Sequence, residues 1–252
     1  MIICAVDLEC TGLNLNNDRI LEVGLALYST GRERVFECTS FLVNTDGVKV
    51  TDEITDITGA TQDLVDAFGY SQESAVETIN EYFAQANAVI GHNSTWYDLP
   101  MIRNAAKRTN LDLALPKLSI DTMVDVPGVK GEKLITMCAN AKDPKTGRDV
   151  GFAYTKHSAL DDAKAVIRLI SWHDIDKIVE RAINPMLVIL SQQGRDKAAN
   201  KAARKAGFRW NGDFKIWWQA VKEMDVQTLA NRVPFAIAVA PKEITLEQLR
   251  DD

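Results

Sequence analysis

The chain has 252 residues, of which 46% are hydrophobic and 25% are charged, and its formal net charge is −6. These fractions are typical of soluble globular proteins, and no apolar run approaches the roughly 18 residues that a membrane-spanning helix requires. The start of the chain lacks the basic segment of a signal peptide, and the four cysteines show no metal-ligand spacing. We therefore expect a cytoplasmic protein with reduced thiols and no membrane partner.

The apolar patterns of residues 1–183 predict an α/β domain. In chain order they indicate strands at residues 2–9, 20–28 and 35–43, a helix at 71–84, a strand at 88–91, a helix at 98–107, a strand at 118–121 and a long helix that begins after Ser158. Ser158 and Asp161 fit a capping box at the start of that helix. We expect a mixed sheet, with three antiparallel strands followed by parallel ones, and helices on both faces.

The pattern restarts near residue 184, where we place a domain boundary. Residues 184–252 predict a small α+β domain with a strand at 186–190, a basic helix at 195–205, a hairpin at 208–221, a helix at 226–232 and a strand at 235–239. A three-residue hairpin loop would place Arg209, Lys215 and Trp217 on one exposed face. A two-residue loop would instead mix them with the core face.

The charges are unevenly distributed between the two regions. Residues 1–183 hold 18 Lys and Arg against 27 Asp and Glu, whereas residues 184–252 hold 11 against 8. The positive excess is concentrated in residues 192–222, which have 8 basic and 2 acidic side chains. This distribution fits a carboxylate-rich catalytic domain beside a nucleic-acid contact, and it equally fits a solvated basic helix.

The second domain is predicted to guide single-stranded nucleic acid through phosphate contacts and base stacking. The candidate contacts are Lys197, Lys201, Arg204, Lys205, Arg209, Lys215 and Trp217. The first four share one helical face by their spacing. Two alternatives remain open, namely that the tryptophans form the core of the domain and that the domain docks a protein.

Acidic residues mark three of the predicted elements of the first domain. Asp7 and Glu9 lie two residues apart on a strand and therefore point to the same face. Two carboxylates placed in this way repel each other unless a divalent cation lies between them. Asp98 begins a predicted helix, and Asp162 lies one turn into the last predicted helix, next to His157. Taken singly, each residue also fits an ordinary strand end, a helix cap or a loop.

Taken together, these motifs resemble those of the DEDDh 3′–5′ exonucleases, a family with an RNase H-like fold that includes the polymerase III epsilon subunit, exonuclease X and RNase T. The motifs are Asp-x-Glu at residues 7–9, Asn-x(3)-Tyr-Asp at 93–98 and His-x(4)-Asp at 157–162. The branch with a catalytic tyrosine requires Tyr-x(3)-Asp, and Tyr154 is followed by serine at that spacing. The resemblance covers roughly residues 1–180 and suggests a bacterial or phage origin.

The resemblance implies hydrolysis with two divalent cations, Mg²⁺ or Mn²⁺. Asp7, Glu9 and Asp162 would bind the first ion, Asp7 would bridge to the second, and Asp98 would act largely through water. His157 would be the general base. The products would be nucleoside 5′-monophosphates.

The resemblance also implies a substrate site. Thr11, Gly12 and Leu13 would hold the terminal nucleotide, with backbone amides on the sugar and Leu13 against the base, and Asn93 would belong to the same site. The expected substrate is the single-stranded or frayed 3′ end of DNA, in proofreading or repair and with a replication or repair protein as a possible partner. The alternatives are a 3′–5′ exoribonuclease, because no motif reveals recognition of the 2′-hydroxyl group, and a non-catalytic nucleic-acid-binding scaffold.

Overall fold

The computed structural model describes residues 1–126, 133–193 and 196–250, and the chain divides into two compact units. The first unit is Met1–Ala182 and the second is Ile183–Asp252. Each unit has hydrophobic clusters of its own. Within the described residues, no helix combines the length and the apolar character that crossing a bilayer requires.

The first unit is built on a five-stranded mixed sheet. Its strands are β1 (Ile2–Cys10), β2 (Ile20–Ser29), β3 (Arg34–Leu42), β4 (Ala88–Gly91) and β5 (Leu118–Asp121). The strand order is β3-β2-β1-β4-β5, in which β1, β2 and β3 pair antiparallel and β4 pairs parallel with both β1 and β5. The predicted mixed sheet is confirmed, and β1 lies at its centre.

Helices cover both faces of this sheet, as predicted. They are α1 (Asp52–Thr58), α2 (Gln62–Phe68), α3 (Gln72–Gln85), α4 (Asp98–Thr109), α5 (Thr122–Asp125), α6 (Leu134–Ala139), α7 (Ala159–Ile170) and α8 (Ile175–Ile183). Apolar side chains of α3 and α4 pack with Cys4 and Val6, whereas those of α6 and α7 pack with Ile3 and Ala5. The centre of β1 is therefore buried on both sides.

The alternation of side chains along β1 decides which helix meets the acidic residues. Ala5 faces α7, so Asp7 and Glu9 face α7 as well. Gly24 pairs with Asp7 across β1 and β2, and a Cβ atom at Gly24 would lie 2.1 Å from the backbone carbonyl carbon of Ala159. Because Gly24 has no side chain, the first turn of α7 can approach the end of β1 closely.

The second unit contains a four-stranded antiparallel sheet. Its strands are β6 (Met186–Ser191), β7 (Arg209–Asn211), β8 (Ile216–Lys222) and β9 (Ile237–Val239), in the order β7-β8-β6-β9. Its helices are α9 (Lys197–Lys205), α10 (Val226–Arg232) and α11 (Leu246–Arg250), and the 3₁₀ helix Glu223–Asp225 precedes α10. The predicted α+β composition is confirmed.

Both faces of this second sheet are buried, which contradicts the single core face that we predicted. Trp217 packs with Phe208 on one face, whereas its neighbour Trp218 packs with Val188 and Leu249 on the other. Trp217 is only 7% exposed. The structure therefore supports the alternative that Trp217 belongs to the core and contradicts its role as an exposed stacking residue, because a helix covers the face that a three-residue loop would have left open.

The hairpin loop has four residues, one more than the longer of the two alternatives that the sequence left open. Trp210 pairs with Trp217, and pairing continues through Asn211, so the loop consists of residues 212–215. The side-chain oxygen of Asn211 accepts a hydrogen bond from the amide of the third loop residue at 2.9 Å, which closes the turn. Since a change of one residue in register exchanges the faces of a strand, Trp210 lies on the face of Trp217, and Arg209 points to the opposite face.

One prediction at a helix start also requires correction, and a second concerns a residue outside the described part of the chain. Ser158 occupies the N-cap position of α7, but its side chain makes no capping hydrogen bond. Instead, the carboxylate of Asp162 accepts the amide of His157, which precedes the cap. The basic helix α9 begins at Lys197, after an N-cap at Asp196 that accepts two backbone amides. Its predicted start, two residues earlier, lies outside the described residues.

We predict that Gly24→Ala destabilises the first unit. The added methyl group would overlap backbone atoms at the start of α7, and overpacking of this kind costs about 1–3 kcal/mol. The free energy of unfolding, measured by urea denaturation, should fall by that amount. Gly31→Ala is the control, since no atom lies within 4 Å of its added Cβ. Equal stability of the two variants would contradict the prediction.

Candidate active site

Three carboxylates meet at the carboxyl end of β1. Asp7, Glu9 and Asp162 each offer one oxygen atom, and these atoms all lie within 4.8 Å of one another. β1 supplies the first two side chains on one face, and the first turn of α7 supplies the third. The sequence predicted these residues to be close together, and the structure places them so.

Asp98 lies beside this cluster but makes a different contact. Its Oδ1 atom accepts a hydrogen bond from the backbone amide of Leu8 at 2.9 Å, and its side chain is 3% exposed. Among the described residues, the group of oxygens within 4.8 Å does not include Asp98. The N-cap of α4 is Tyr97, so Asp98 is not the helix cap. Its hydrogen bond joins the start of α4 to the acidic end of β1.

Asp121 is a buried residue that the sequence analysis did not identify. Its side chain is 1% exposed and accepts the backbone amides of Asn93 at 2.8 Å, Thr95 at 3.1 Å and Met123 at 3.0 Å. These bonds hold the turn between β4 and α4, in which Asn93 has a left-handed φ of 60°. Since this turn leads directly to Asp98, the hydrogen bonds of Asp121 position Asp98. Its one signal in the sequence was its place at the end of a predicted strand.

Two hydrogen bonds orient the carboxylate of Asp162. The hydroxyl of Tyr154 donates to Oδ1 at 2.7 Å, and the backbone amide of His157 donates to Oδ2 at 2.9 Å. The sequence analysis considered Tyr154 only as a catalytic tyrosine and rejected it on spacing. Burial, together with the hydrogen bond to Asp162, raises the pKa of Tyr154. The hydroxyl therefore stays protonated and continues to donate.

His157 lies next to the cluster with its side chain exposed. Its φ of 64° is in the left-handed region, which is uncommon for residues other than glycine and recurs at functional sites. Burial raises the pKa of Asp162, and the hydrogen bond from Tyr154 and the charge of His157 oppose that rise. The imidazole is thus near enough to act on the cluster electrostatically.

Burial and mutual repulsion raise the pKa values of the clustered carboxyl groups. Burial raises the pKa of Asp7 well above its ordinary value, and the charges of Asp98, Asp162 and Glu9 raise it further. The pKa of Glu9 rises from 4.5 to about 7, mainly through burial and then through Asp162. Burial likewise raises the pKa of Asp98 from 3.8 to about 7. When these carboxyl groups are ionised, they repel one another, and the fold keeps them close together despite that repulsion.

Glu22 adds a further acidic group that the sequence analysis missed. It pairs directly with Glu9 across β1 and β2, and the hydroxyl of Ser40 donates to its carboxylate at 2.6 Å. Its charge contributes to the raised pKa values of Asp7 and Glu9. Like charges directly opposite each other destabilise a sheet, so Glu22 increases the need for a compensating cation.

The donor set fits divalent cations of the magnesium and manganese type. The ligand atoms that Asp7, Glu9 and Asp162 offer are all carboxylate oxygens, which such hard cations prefer. A cation between them would replace the repulsion by attraction and favour their ionised forms.

A closed loop, residues 11–19, follows the cluster. The hydroxyl of Thr11 donates to Oδ1 of Asp18 at 3.0 Å, and the amide of Thr11 donates to the carbonyl of Arg19 at 3.0 Å. Thr11 itself is 8% exposed. Its amide, which we expected to contact a sugar, is therefore engaged inside the loop, and Thr11 serves to close it.

The next two residues of this loop, Gly12 and Leu13, make different contacts. The hydroxyl of Tyr97 donates to the carbonyl of Gly12 at 2.6 Å, which attaches the loop to the residue before Asp98. Leu13 is 83% exposed, an unusual position for a large apolar side chain next to a polar cluster. The loop thus holds an apolar side chain in solvent on an anchored backbone.

We predict that repulsion in the cluster limits the stability of the metal-free protein. Because the folded pKa of Glu9, about 7, lies above its ordinary value of 4.5, stability in EDTA should fall as the pH rises through this interval. Asp7→Asn removes one charge, so in EDTA above neutral pH it should raise the melting temperature by about 2–4 °C in calorimetry.

The same Asp7→Asn variant should lose the stabilisation that Mg²⁺ gives to the unaltered protein. Asp112→Asn, which removes an exposed carboxylate in the same unit, should change neither quantity. A lower melting temperature of Asp7→Asn in EDTA would be inconsistent with a repulsive cluster.

We predict that Tyr154→Phe weakens metal binding without unfolding the protein. The change removes the donor that orients Asp162, and loss of such a supporting bond costs about 10-fold or more in metal affinity. Calorimetric titration with Mn²⁺ measures the affinity. Tyr70→Phe, at an exposed tyrosine, is the control and should bind Mn²⁺ normally. Unchanged affinity in Tyr154→Phe would refute a positioning role.

Comparison with known proteins agrees with this geometry. A sequence model of the exonuclease family, RNase T type, matches residues 4–170. No curated protein sequence matches the chain.

Two nucleases are among the solved structures with a similar fold. Escherichia coli exonuclease I, in a zinc-bound complex with single-stranded DNA, is 16% identical with a TM-score of 0.54, and the match covers 77% of this chain and 48% of that one. The same enzyme with a dT13 oligonucleotide is 17% identical with a TM-score of 0.52, and the match again covers 77% of this chain and 48% of that one. The nuclease domain of 3′hExo, a DEDDh family member bound to rAMP, is 20% identical with a TM-score of 0.52. That match covers 68% of this chain and 90% of the 3′hExo domain. This chain spans about half the length of the exonuclease I structures.

The match to the family model includes the whole sheet and the elements that carry the clustered carboxylates. The motif order of Asp7, Glu9, Asp98, His157 and Asp162 is that of the DEDDh branch. The chain therefore belongs to the exonuclease family, and its motifs resemble those of the DEDDh 3′–5′ branch.

Proposed function

We propose that this chain is a metal-dependent exonuclease that releases nucleoside 5′-monophosphates from single-stranded or frayed 3′ ends of DNA. The observation that carries the proposal is the group of Asp7, Glu9 and Asp162 oxygens within 4.8 Å of one another, beside the buried Asp98. Such a group is repulsive by itself. The fold maintains an arrangement that becomes favourable when cations bind.

The four carboxylates would hold two ions, Mg²⁺ or Mn²⁺. Asp7, Glu9 and Asp162 offer oxygens for one ion. Asp7 would also bind the second ion. Asp98, whose Oδ1 is bonded to the Leu8 amide, would contact an ion largely through water. When bound, the ions supply Lewis-acid chemistry, since they activate the attacking water and offset the charge on the phosphate and the leaving 3′ oxygen.

His157 would accept the proton of the attacking water. Imidazole is suited to proton transfer near neutral pH, and the exposure of this side chain allows it to return the proton to solvent. Its backbone is held by the hydrogen bond to Asp162, which keeps the base in a constant position relative to the carboxylates.

The loop at residues 11–19 would hold the terminal nucleotide. With the Thr11 amide engaged inside the loop, Gly12 and Leu13 remain as the candidate contacts. Leu13, at 83% exposure, would pack against the terminal base, and burying a leucine side chain contributes up to about 2 kcal/mol. Asn93, held by Asp121 in the turn before Asp98, would contact the same nucleotide.

DNA is the favoured substrate because the exonuclease I structures, which contain single-stranded DNA, align with the larger share of this chain. The second candidate is an exoribonuclease, which the rAMP complex of 3′hExo supports. A non-catalytic scaffold is disfavoured because all five catalytic positions are filled. We place the enzyme in proofreading or repair, acting with a replication or repair protein.

A digest of 5′-labelled single-stranded DNA and matched RNA tests the proposal. With Mg²⁺ or Mn²⁺ we expect a ladder that shortens from the 3′ end, faster on DNA, and no products in EDTA. His157→Ala should lower kcat by about 10²–10⁴-fold, because it removes the general base.

His173→Ala is the control and should retain full activity, because this histidine lies in the first unit but outside the carboxylate cluster. Faster digestion of RNA would select the exoribonuclease. Binding of both strands without any digestion would select the scaffold.

A further inference from the structure

We propose that helix α9 and Trp210 form a second binding surface for single-stranded nucleic acid, located on the second unit. The inference rests on the proposed function only for the choice of a polynucleotide as occupant. The surface consists of Lys197, Lys201, Arg204, Lys205 and Trp210.

The charge of α9 is the first observation. Its nine residues contain four basic side chains and no acidic one, and all four are exposed. Lys197, Lys201 and Lys205 follow one another at intervals of four residues, where like charges repel by a few tenths of a kcal/mol per pair. Lys197 also stands at the helix N-terminus, where the helix dipole disfavours a cation. A polyanion would turn these unfavourable contacts into favourable ones.

The position of Trp210 is the second and independent observation. Its side chain is 41% exposed, although it lies on the sheet face that α9 covers. Its ring centroid lies 5.5 Å from that of Trp217, and Trp217 is fixed by a 2.8 Å hydrogen bond from its indole nitrogen to Asn200. Trp210 is therefore an exposed ring that is held in place before any ligand binds.

Arg204 connects the charged helix to the aromatic pair. Its guanidinium lies 5.7 Å from the ring centroid of Trp217, so it belongs to α9 and adjoins the rings at the same time. Phosphate contacts beside an exposed aromatic ring are the combination by which proteins hold unpaired strands. Arg209 lies on the opposite face of β7, and Lys215 lies in the hairpin loop, so neither belongs to this surface.

Single-stranded nucleic acid explains both features, whereas an acidic peptide explains only the charge. A duplex keeps its bases stacked on one another, and Trp210 would have no base face to contact. An unpaired strand offers phosphates to α9 and a base to the indole ring. It is also the substrate class of the proposed exonuclease.

The test is equilibrium binding of the full chain to a labelled oligothymidylate in EDTA, by fluorescence anisotropy at several salt concentrations. Lys197→Gln/Lys201→Gln/Lys205→Gln should lower the affinity and reduce the slope of log K against log salt by about 2, because each lost phosphate contact on a single strand removes about 0.7. Trp210→Ala should lower the affinity about 10-fold with the salt slope unchanged.

Two control variants match these changes. Arg232→Gln/Lys242→Gln removes exposed cations from the same unit outside α9, and Trp172→Ala removes an exposed tryptophan from the first unit. Both should bind as the unaltered protein does. Thermal melting identifies any variant that fails to fold, and the lysine variant, at exposed positions, keeps the test decisive if Trp210→Ala is unstable.

Hydrolysis of a dinucleotide, which offers few phosphates to α9, separates this inference from the proposed function. The α9 variant should cleave a dinucleotide at the normal rate. A protein that digests neither the dinucleotide nor a longer single strand with Mg²⁺ but shows the predicted binding changes would support the surface and overturn the exonuclease. Oligothymidylate binding that is unchanged in both variants would overturn the proposed surface. If the α9 variant then bound a polyglutamate peptide less tightly than the unaltered protein does, the surface would be assigned to a protein partner instead.

Discussion

Repulsion between carboxylates at the end of β1 is the constraint on which the first unit depends. Burial and neighbouring charges raise the pKa values of Asp7, Glu9 and Asp98, so the ionised cluster needs external support. Backbone amides and a tyrosine hydroxyl supply part of it, since Leu8 donates to Asp98 while Tyr154 and the His157 amide donate to Asp162. These donors fix the direction of each carboxylate, and cations would supply the missing charge.

The sheet topology brings these groups together from distant parts of the chain. β1 lies between an antiparallel and a parallel neighbour, so β2 begins and β4 ends near its acidic residues. Gly24 on β2 admits the first turn of α7 with Asp162, and the turn after β4 delivers Asp98. The active site is therefore a product of the order of the strands, and a small displacement of one helix would separate its ligands.

The sequence predicts this site well because its signals are local. Alternation along a strand places Asp7 and Glu9 on one face, and motif order identifies the remaining ligands. The hydrogen-bond donors that support the carboxylates cannot be predicted in this way. Every residue type except proline has a backbone amide, and the contact between Tyr154 and Asp162 depends on the path of the loop between them. In the second unit, a four-residue loop exchanges the strand faces and helices bury both sides of the sheet, so the exposed tryptophan is Trp210 rather than the predicted Trp217.

Substrate choice must come from outside the carboxylate cluster. In the proposed function the cluster and its cations would act on the phosphodiester group, which DNA and RNA share, and similar folds have been solved both with single-stranded DNA and with rAMP. Discrimination between the sugars therefore has to arise where the nucleotide is held, at the loop that carries Leu13 or at the turn that Asp121 fixes around Asn93. A surface that binds phosphates and stacks one base increases the local concentration of a strand without reading its sugar. The second unit would thus affect how tightly a strand is held, and the first would decide which strand is cut.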